Sequence, residues 1–314
     1  MFVDPDPGYG SAYEIEDADG GPEQVTLEED GPDRLVAHRI GPRHHDRDVW
    51  FVDGVRRTDA RVHEVDPDGR IIYGLAGSFG VGGVRCPPGH RPTFGRLDIH
   101  RRLIWTHGFA GELPEVAGWY WQVDSLTTTA ADALLLHLQD SMRRAEAALA
   151  AQLVAGGGLV VRDGPLIRLH GVVADVAGLV KSHNQAHLPP ELHRSVPSLI
   201  GPCERSSLFS LRDDVWACYF RLPTSGRVGP WAGIVRIDLP ATGGLAGAVA
   251  LADEVCAHVA EYPGVPHIDP RAPANLQPVG ALEQQLRHLL GDPAGALRAC
   301  RDAAHLYERA YGAA

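Results

Sequence analysis

The sequence predicts an α+β protein, a mixed sheet with flanking helices, and three observations point to it. Extended apolar runs joined by turn residues fill most of positions 33–105. The hydrophobic period then lengthens to that of a helix over about 127–155. Two strands far apart in the chain, at 49–53 and 159–163, finish alike: an apolar run, then Asp, then Gly.

Residues 1–30 are rich in Asp, Glu, Gly and Pro and read as a loose acidic arm ahead of one domain at 31–314. Positions 33–40 suit a short strand. The Val-Trp-Phe-Val-Asp-Gly of 49–54 is an apolar strand ended by a carboxylate, with a Gly where the backbone turns without steric cost; Arg56 and Arg57 follow it. Segments 59–65, 70–75 and 95–105 continue as strands. Between the first two of these, Pro-Asp-Gly at 67–69 marks a hairpin, because Pro presets one turn dihedral and Gly takes the positive one. The first half is therefore expected to be an antiparallel meander. Gly77, Gly80, Gly82 and Gly83 read as a flexible loop, since no helix follows to make a phosphate cradle.

From 127 to 155 the composition is strongly helical, with Thr127 to Thr129 offering N-caps and Gly156 to Gly158 ending the helix. At 100° per residue, Leu135, Met142, Leu149 and Leu153 form one apolar stripe, and Glu146 falls inside it, while Asp140 projects away. A glutamate in a core stripe needs a cation beside it, because an uncompensated buried carboxylate costs several kcal/mol or takes up a proton. The second acid-tipped strand follows, then an apolar segment at 172–181 ending on Lys181. A hairpin turns at 212–214, and a strand at 231–239 carries Arg236 and Asp238 on one face. Amphipathic helices are expected at 244–261, 279–290 and 294–311.

A net charge of −11 excludes a protein that coats nucleic acid by electrostatics alone, which needs a surplus of lysine and arginine. It does not exclude an enzyme to which a partner delivers DNA. Five widely spaced cysteines without a CxxC pair lead us to expect reduced thiols and a cytoplasmic location. The first 30 residues lack a basic and apolar leader pattern, and no apolar run approaches the length of about 20 residues that crosses a bilayer.

Antiparallel strands opened by an acid-tipped one, then a helix with an inward Glu, then a second acid-tipped strand: this is the order of a ribonuclease-H-like fold. Asp53, Glu146 and Asp163 are the candidate ligands, because three carboxylates meeting at one point hold hard cations such as Mg²⁺ or Mn²⁺ and serve phosphodiester hydrolysis. Taken singly, each Asp-Gly is an ordinary turn. Lys181 either touches a scissile phosphate or orients an acid, or is a solvated strand end. Arg236 and Asp238 either support the site or form a same-face ion pair. His183 and His187 have the spacing of a zinc helix, but Pro189 and Pro190 and the missing Glu between them favour a loop role, with His193 beyond.

The Phe-Val-Asp-Gly of 51–54, the Val-Arg-Asp-Gly-Pro-Leu of 161–166 and the Gly-Leu-Val-Lys-Ser of 178–182 resemble the strongest motifs of the NurA-type nuclease domain, over about 48–290. Arg236-Ile237-Asp238 is similar to that family's later Arg-x-acid strand. The resemblance implies a homodimeric, Mn²⁺- or Mg²⁺-dependent DNA nuclease, exo- and endonucleolytic on single and double strands. Asp53, Glu146, Asp163 and Lys181 would be catalytic, and Arg56 and Arg236 would bind substrate. It also implies a HerA-type hexameric ATPase partner in DNA end processing or defence. The sequence departs from the family near its end: Tyr262-Pro263 is not followed by the family's Ala-His, Ala304-His305 lies far on, and Asn275 or His267 are the possible substitutes. That departure keeps open a rival reading, a catalytically weakened scaffold that docks the ATPase.

Overall fold

The structure, a computed structural model, describes residues 2–4, 26–31, 34–41, 47–166, 174–183, 186–212, 214–223, 229–265, 267 and 272–311. Most of the expected acidic arm, 5–25, and the start of the segment expected at 172–181 lie outside them.

Strands β1 (Phe2–Asp4), β2 (Ala37–Arg39), β3 (Val49–Val65), β4 (Ile71–Cys86), β5 (Thr93–Trp105) and β6 (Gln122–Ser125) come first, then helix α1 (Asp132–Ala155). They are followed by β7 (Leu159–Asp163), β8 (Val176–Val180), α2 (Pro190–Leu199), β9 (Glu204–Ser206), β10 (Phe209–Arg212), β11 (Val215–Arg221) and β12 (Ile234–Pro240). Helices α3 (Gly244–Val259), α4 (Gln277–Leu289) and α5 (Pro293–Tyr311) close the chain. Among the described residues the strands make one mixed sheet in the order β2-β9-β11-β12-β8-β7-β3-β4-β5-β6, with β1 added to β3 and β10 to β11. No described helix is long and apolar enough to cross a membrane.

The meander forms, but Asp53 does not end a strand: β3 runs on from Val49 to Val65 and joins the segments expected separately at 49–53 and 59–65, because Gly54 and the residues after it keep pairing with β4. β3, β4 and β5 pair antiparallel, and the 66–69 turn closes with Gly69 N–H donating to Asp66 O at 2.9 Å, Gly69 at φ +80°. Gly77, Gly80, Gly82 and Gly83, expected as a loop, lie inside β4. Their missing side chains make room for neighbours: a Cβ on Gly77 would stand 2.6 Å from Leu138 of α1, and one on Gly80 2.9 Å from Ile99 of β5. Glycine here serves close packing on both faces of a central strand. The long helix begins later than its threonines suggest: Thr128 turns into the preceding loop, its carbonyl taking the His107 N–H, and the N-cap Ala131 makes no side-chain cap. Its buried stripe is Leu134, Leu138, Leu149 and Ala150 with Glu146 among them, while Leu135, Met142 and Leu153 are half-buried and Asp140 is exposed. The tail of the acidic arm is anchored: Leu27 is buried, and Glu29 accepts hydrogen bonds from the buried Arg205 at 2.7 and 3.1 Å.

Alternation along β3 sends its side chains to two faces. Phe51 and Val55 pack with Val279, Leu282 and Leu286 of α4 and with α3, whereas Val52 packs with Leu134, Leu138 and Leu149 of α1. The far half of β3 is covered by α5, through Ala60, Val62, Ala299, Cys300 and Ala303. β7 runs parallel to β3 only from Val49↔Leu159 to Val52↔Arg162. Beyond that register β3 continues without β7 beside it, and Asp53 stands where the pairing stops.

Candidate metal centre

Asp53 sits on the α4 face of β3, its backbone paired to Gly82 on the other side. Its Oδ1 accepts the N–H of Gly54 at 2.7 Å, which fixes the carboxylate where β7 stops pairing with β3. Asp163, the last residue of β7, has the same inward parity as Val161 and so faces α4 too. Glu283 projects from α4 toward both. One carboxylate oxygen from each of Asp53, Asp163 and Glu283 lies within 4.8 Å of the others.

Lys181 follows β8 and donates from Nζ to Asp163 Oδ2 at 2.6 Å and to Asn275 Oδ1 at 2.6 Å. Asn275 is buried just ahead of α4. β7 and β8 approach closely enough that a Cβ on Gly178 would meet Gly164 O at 2.7 Å and Leu166 N at 3.0 Å. Only glycine permits that approach, which brings the lysine segment against the Asp163-Gly164-Pro165 turn.

Glu146 approaches from the opposite face. A Cβ on Gly54 would collide with the Glu146 carboxylate, so the glycine after Asp53 is the opening through which the helix acid reaches the strand. Glu146 is held there by Arg162, whose Nη2 donates to Oε2 at 2.9 Å, both side chains buried. Burial pushes the Glu146 pKa up, more than the Arg162 charge and hydrogen bond pull it down, and Asp163 adds to the rise. Burial likewise holds the Asp53 pKa well above the ordinary carboxylate range, reinforced by the charges of Asp163 and Glu146 and offset in part by Lys181; Glu283 contributes in the same upward direction. Four carboxylates therefore feel one another around Asp53.

The structure thus brings Asp53, Asp163 and Lys181 together and sets Glu146 beside them, but as an ion pair rather than inside the tightest acid trio. Two predicted substrate contacts lie elsewhere. Arg56 is on the α1 face and donates to Gln139 Oε1 at 3.1 Å. Arg236 is buried, its guanidinium on Asp238 at 2.7 and 3.1 Å, and Asp238 in turn accepts from Leu166 N–H at 3.3 Å. That pair braces the turn after Asp163. Of the substitutes considered for the missing histidine, Asn275 is the one at the site; His267 is exposed, and His305 lies exposed on α5 near Glu308. Neither His183 nor His187 lies in a helix: His183 Nε2 is bonded to Ile234 O at 2.8 Å, and the rings of His183 and His193 lie against Trp231 at 4.9 and 4.7 Å.

Glu283 is the ligand-type residue that sequence reasoning missed, although a signal existed. It falls at i+4 from Val279 and i−3 from Leu286, inside the buried stripe of its helix, the same anomaly that singled out Glu146.

The residues fit a hard divalent cation. Every donor in the trio is a carboxylate oxygen, three elements converge, and the half-buried neighbouring cation, Lys181, is shared with Asn275.

No protein-family model matches the chain, and no curated protein matches it. Among solved structures it is similar to the NurA nuclease from Sulfolobus solfataricus, with 11% identity over 80% of this chain and 85% of that one and a TM-score of 0.44. Backbone likeness at this level does not speak to chemistry, which belongs to particular side chains.

Proposed function

We propose that the chain is a divalent-metal-dependent DNA nuclease of the NurA type on a ribonuclease-H-like sheet. The observation that carries this reading is the convergence of Asp53, Asp163 and Glu283, from three separate elements, to within 4.8 Å. Acids that repel one another are brought together by a fold only at some cost, and a cation is what offsets it. The DNA substrate, the exo- and endonucleolytic action, a homodimer and a HerA-type ATPase partner are supported by the motif resemblance around Asp53, Asp163 and Lys181.

Asp53, Asp163 and Glu283 would hold Mn²⁺ or Mg²⁺, with Glu146 completing the acid set from the far side of Gly54. A bound ion supplies Lewis acidity to the scissile phosphodiester and its attacking water. Lys181 offers positive charge to a phosphate oxygen, and its bonds to Asp163 and Asn275 aim the ammonium before substrate arrives. The buried Arg162 keeps Glu146 in place and partly offsets the rise in its pKa that burial causes. Arg236 acts at one remove, through Asp238 and the Leu166 amide, on the turn that carries Asp163.

The test is plasmid nicking with Mn²⁺ alongside calorimetric titration of Mn²⁺. Asp53→Ala and Glu283→Ala should each lower cleavage by about a thousandfold, corresponding to a loss of several kcal/mol of transition-state stabilisation. Both should weaken metal uptake without unfolding the protein. Wild-type levels of nicking by Asp53→Ala would end the assignment. A chain that takes up no Mn²⁺ and cuts nothing would be a scaffold instead.

A further inference from the structure

On β3, four residues past Asp53, Arg57 makes a different kind of contact with the same helix. Its Nη1 donates to Gly291 O at 2.7 Å and its Nη2 to Leu290 O at 3.3 Å, the carbonyls just beyond α4. There the helix ends in a left-handed Gly291, φ +80°, leaving those carbonyls without helical partners and at the negative end of the helix dipole. The remaining donor, Nε, goes to Asp59 Oδ1 at 2.9 Å.

Asp59 is itself locked. It is the extra residue of a β-bulge between Thr58 and Ala60, its side chain is wholly buried, and its Oδ2 accepts from Ser78 Oγ and from Trp121 Nε1 at 3.1 Å. Arg57 is therefore oriented before it meets the helix, and its fork spans two carbonyls at once.

The geometry pairs two tie points along one strand and one helix. From Asp53 to Arg57 is about 13 Å of extended chain at ~3.3 Å per residue. From Glu283 to Leu290 is about 10 Å of helix at 1.5 Å per residue. The two elements run side by side, repelling at one tie point, where Asp53 faces Glu283, and attracting at the other.

We infer that Arg57, oriented by Asp59, is the positioning residue of the acid trio: it clamps the end of α4 to β3 and so holds Glu283 against Asp53 in the metal-free protein. The inference rests on the reading of the trio as the metal site. Its function is preorganisation, since a ligand set assembled before the ion arrives binds it without first ordering a helix.

A double-mutant cycle in the full chain tests it, read by hydrogen–deuterium exchange of the α4 amides at pH 7 without metal and again with Mn²⁺. In metal-free protein Arg57→Ala should speed α4 exchange about tenfold, as expected when two charge-assisted bonds are lost. Adding Asp53→Asn, which removes the repulsion at the other tie point, should return most of that protection. A merely structural arginine would show additive effects, with Asp53→Asn slowing α4 exchange by the same factor in wild type and in Arg57→Ala. That result, or α4 exchange in Arg57→Ala equal to wild type, overturns the inference. If Arg57→Ala does not fold, Arg57→Gln, which keeps one donor, should give the same ordering at smaller amplitude. With Mn²⁺, Arg57→Ala should regain protection while Asp53 is intact. Absence of any Mn²⁺ effect in wild type would overturn the metal reading alone, because the metal-free cycle decides on Arg57 by itself.

Discussion

The two faces of the sheet around Asp53 of β3 treat buried charge in opposite ways. On the α1 face Glu146 meets Arg162 at 2.9 Å, one acid against one base, both buried. On the α4 face Asp53, Asp163 and Glu283 converge, with Lys181 bonded to Asp163 and the exposed Arg287 lying 3.5 Å from Glu283. The first arrangement is a neutralised pair such as any folded core tolerates when hydrogen-bonded. The second carries a surplus of negative charge, and stability alone does not account for it. A charge excess set beside a balanced pair, a strand's thickness apart, marks where a cation belongs.

Breaking the balanced side should have the larger effect on stability. Arg162→Ala leaves Glu146 buried and unpaired, which costs roughly 3–5 kcal/mol in comparable sites. Chemical denaturation at pH 7 should show that loss, and Glu146→Leu with Arg162→Met should recover most of it, since an apolar pair of similar volume replaces the ions. An unchanged midpoint for Arg162→Ala would mean that the pair is not buried as described.

The unbalanced side should respond with the opposite sign. Asp53 has its pKa raised in the folded protein, so the native state holds that proton more tightly than the unfolded chain does. The associated stability is fully present below the unfolded carboxylate pKa and is lost as pH rises through the folded one. At pH 7 in the absence of metal, Asp53→Asn should therefore stabilise the protein. Each unit of raised pKa is worth ~1.4 kcal/mol, or about 2–4 °C in Tm for a protein of this size class. The gain should shrink toward zero near pH 4 and should reverse when Mn²⁺ is added, because the variant gives up a ligand. A lower Tm for Asp53→Asn in metal-free buffer at pH 7 would contradict the account.

Much of this contrast was readable in the chain itself. Asp53 and Asp163 were visible because an apolar run followed by Asp-Gly is a local pattern, although only Asp163 ends its strand and β3 runs on past Asp53, and Glu146 because it breaks an apolar stripe. Glu283 breaks a stripe in the same way, but its helix is short, and over so few turns a single acid among Val279, Leu282 and Leu286 does not separate edge from core. Which face each acid occupies was not legible: parity orders side chains along one strand, whereas the side on which α1 or α4 packs is a property of the topology. The β4 glycines were misread because flexibility and close packing call for the same residue, and only the neighbours Leu138 and Ile99 distinguish them. Arg57 and Asp59 gave no signal at all, since their partners are backbone carbonyls and residues from three other segments.

The smallest effect concerns the one surface cation that touches the acid trio. Arg287 lies one turn after Glu283 on α4, 3.5 Å from its carboxylate, with its own side chain 67% exposed. Such an i,i+4 pair in solvent contributes about 0.3–0.5 kcal/mol and is screened by salt. Arg287→Ala should therefore move the unfolding free energy by less than about 0.5 kcal/mol. If the acid excess on the α4 face is real, the same change should leave Mn²⁺ affinity unaltered or slightly increased, since a competing positive charge has been removed from a ligand. A several-fold loss of Mn²⁺ affinity in Arg287→Ala would instead show that Glu283 is held in place by its surface partner, and the clamp at Arg57 would then lose its purpose.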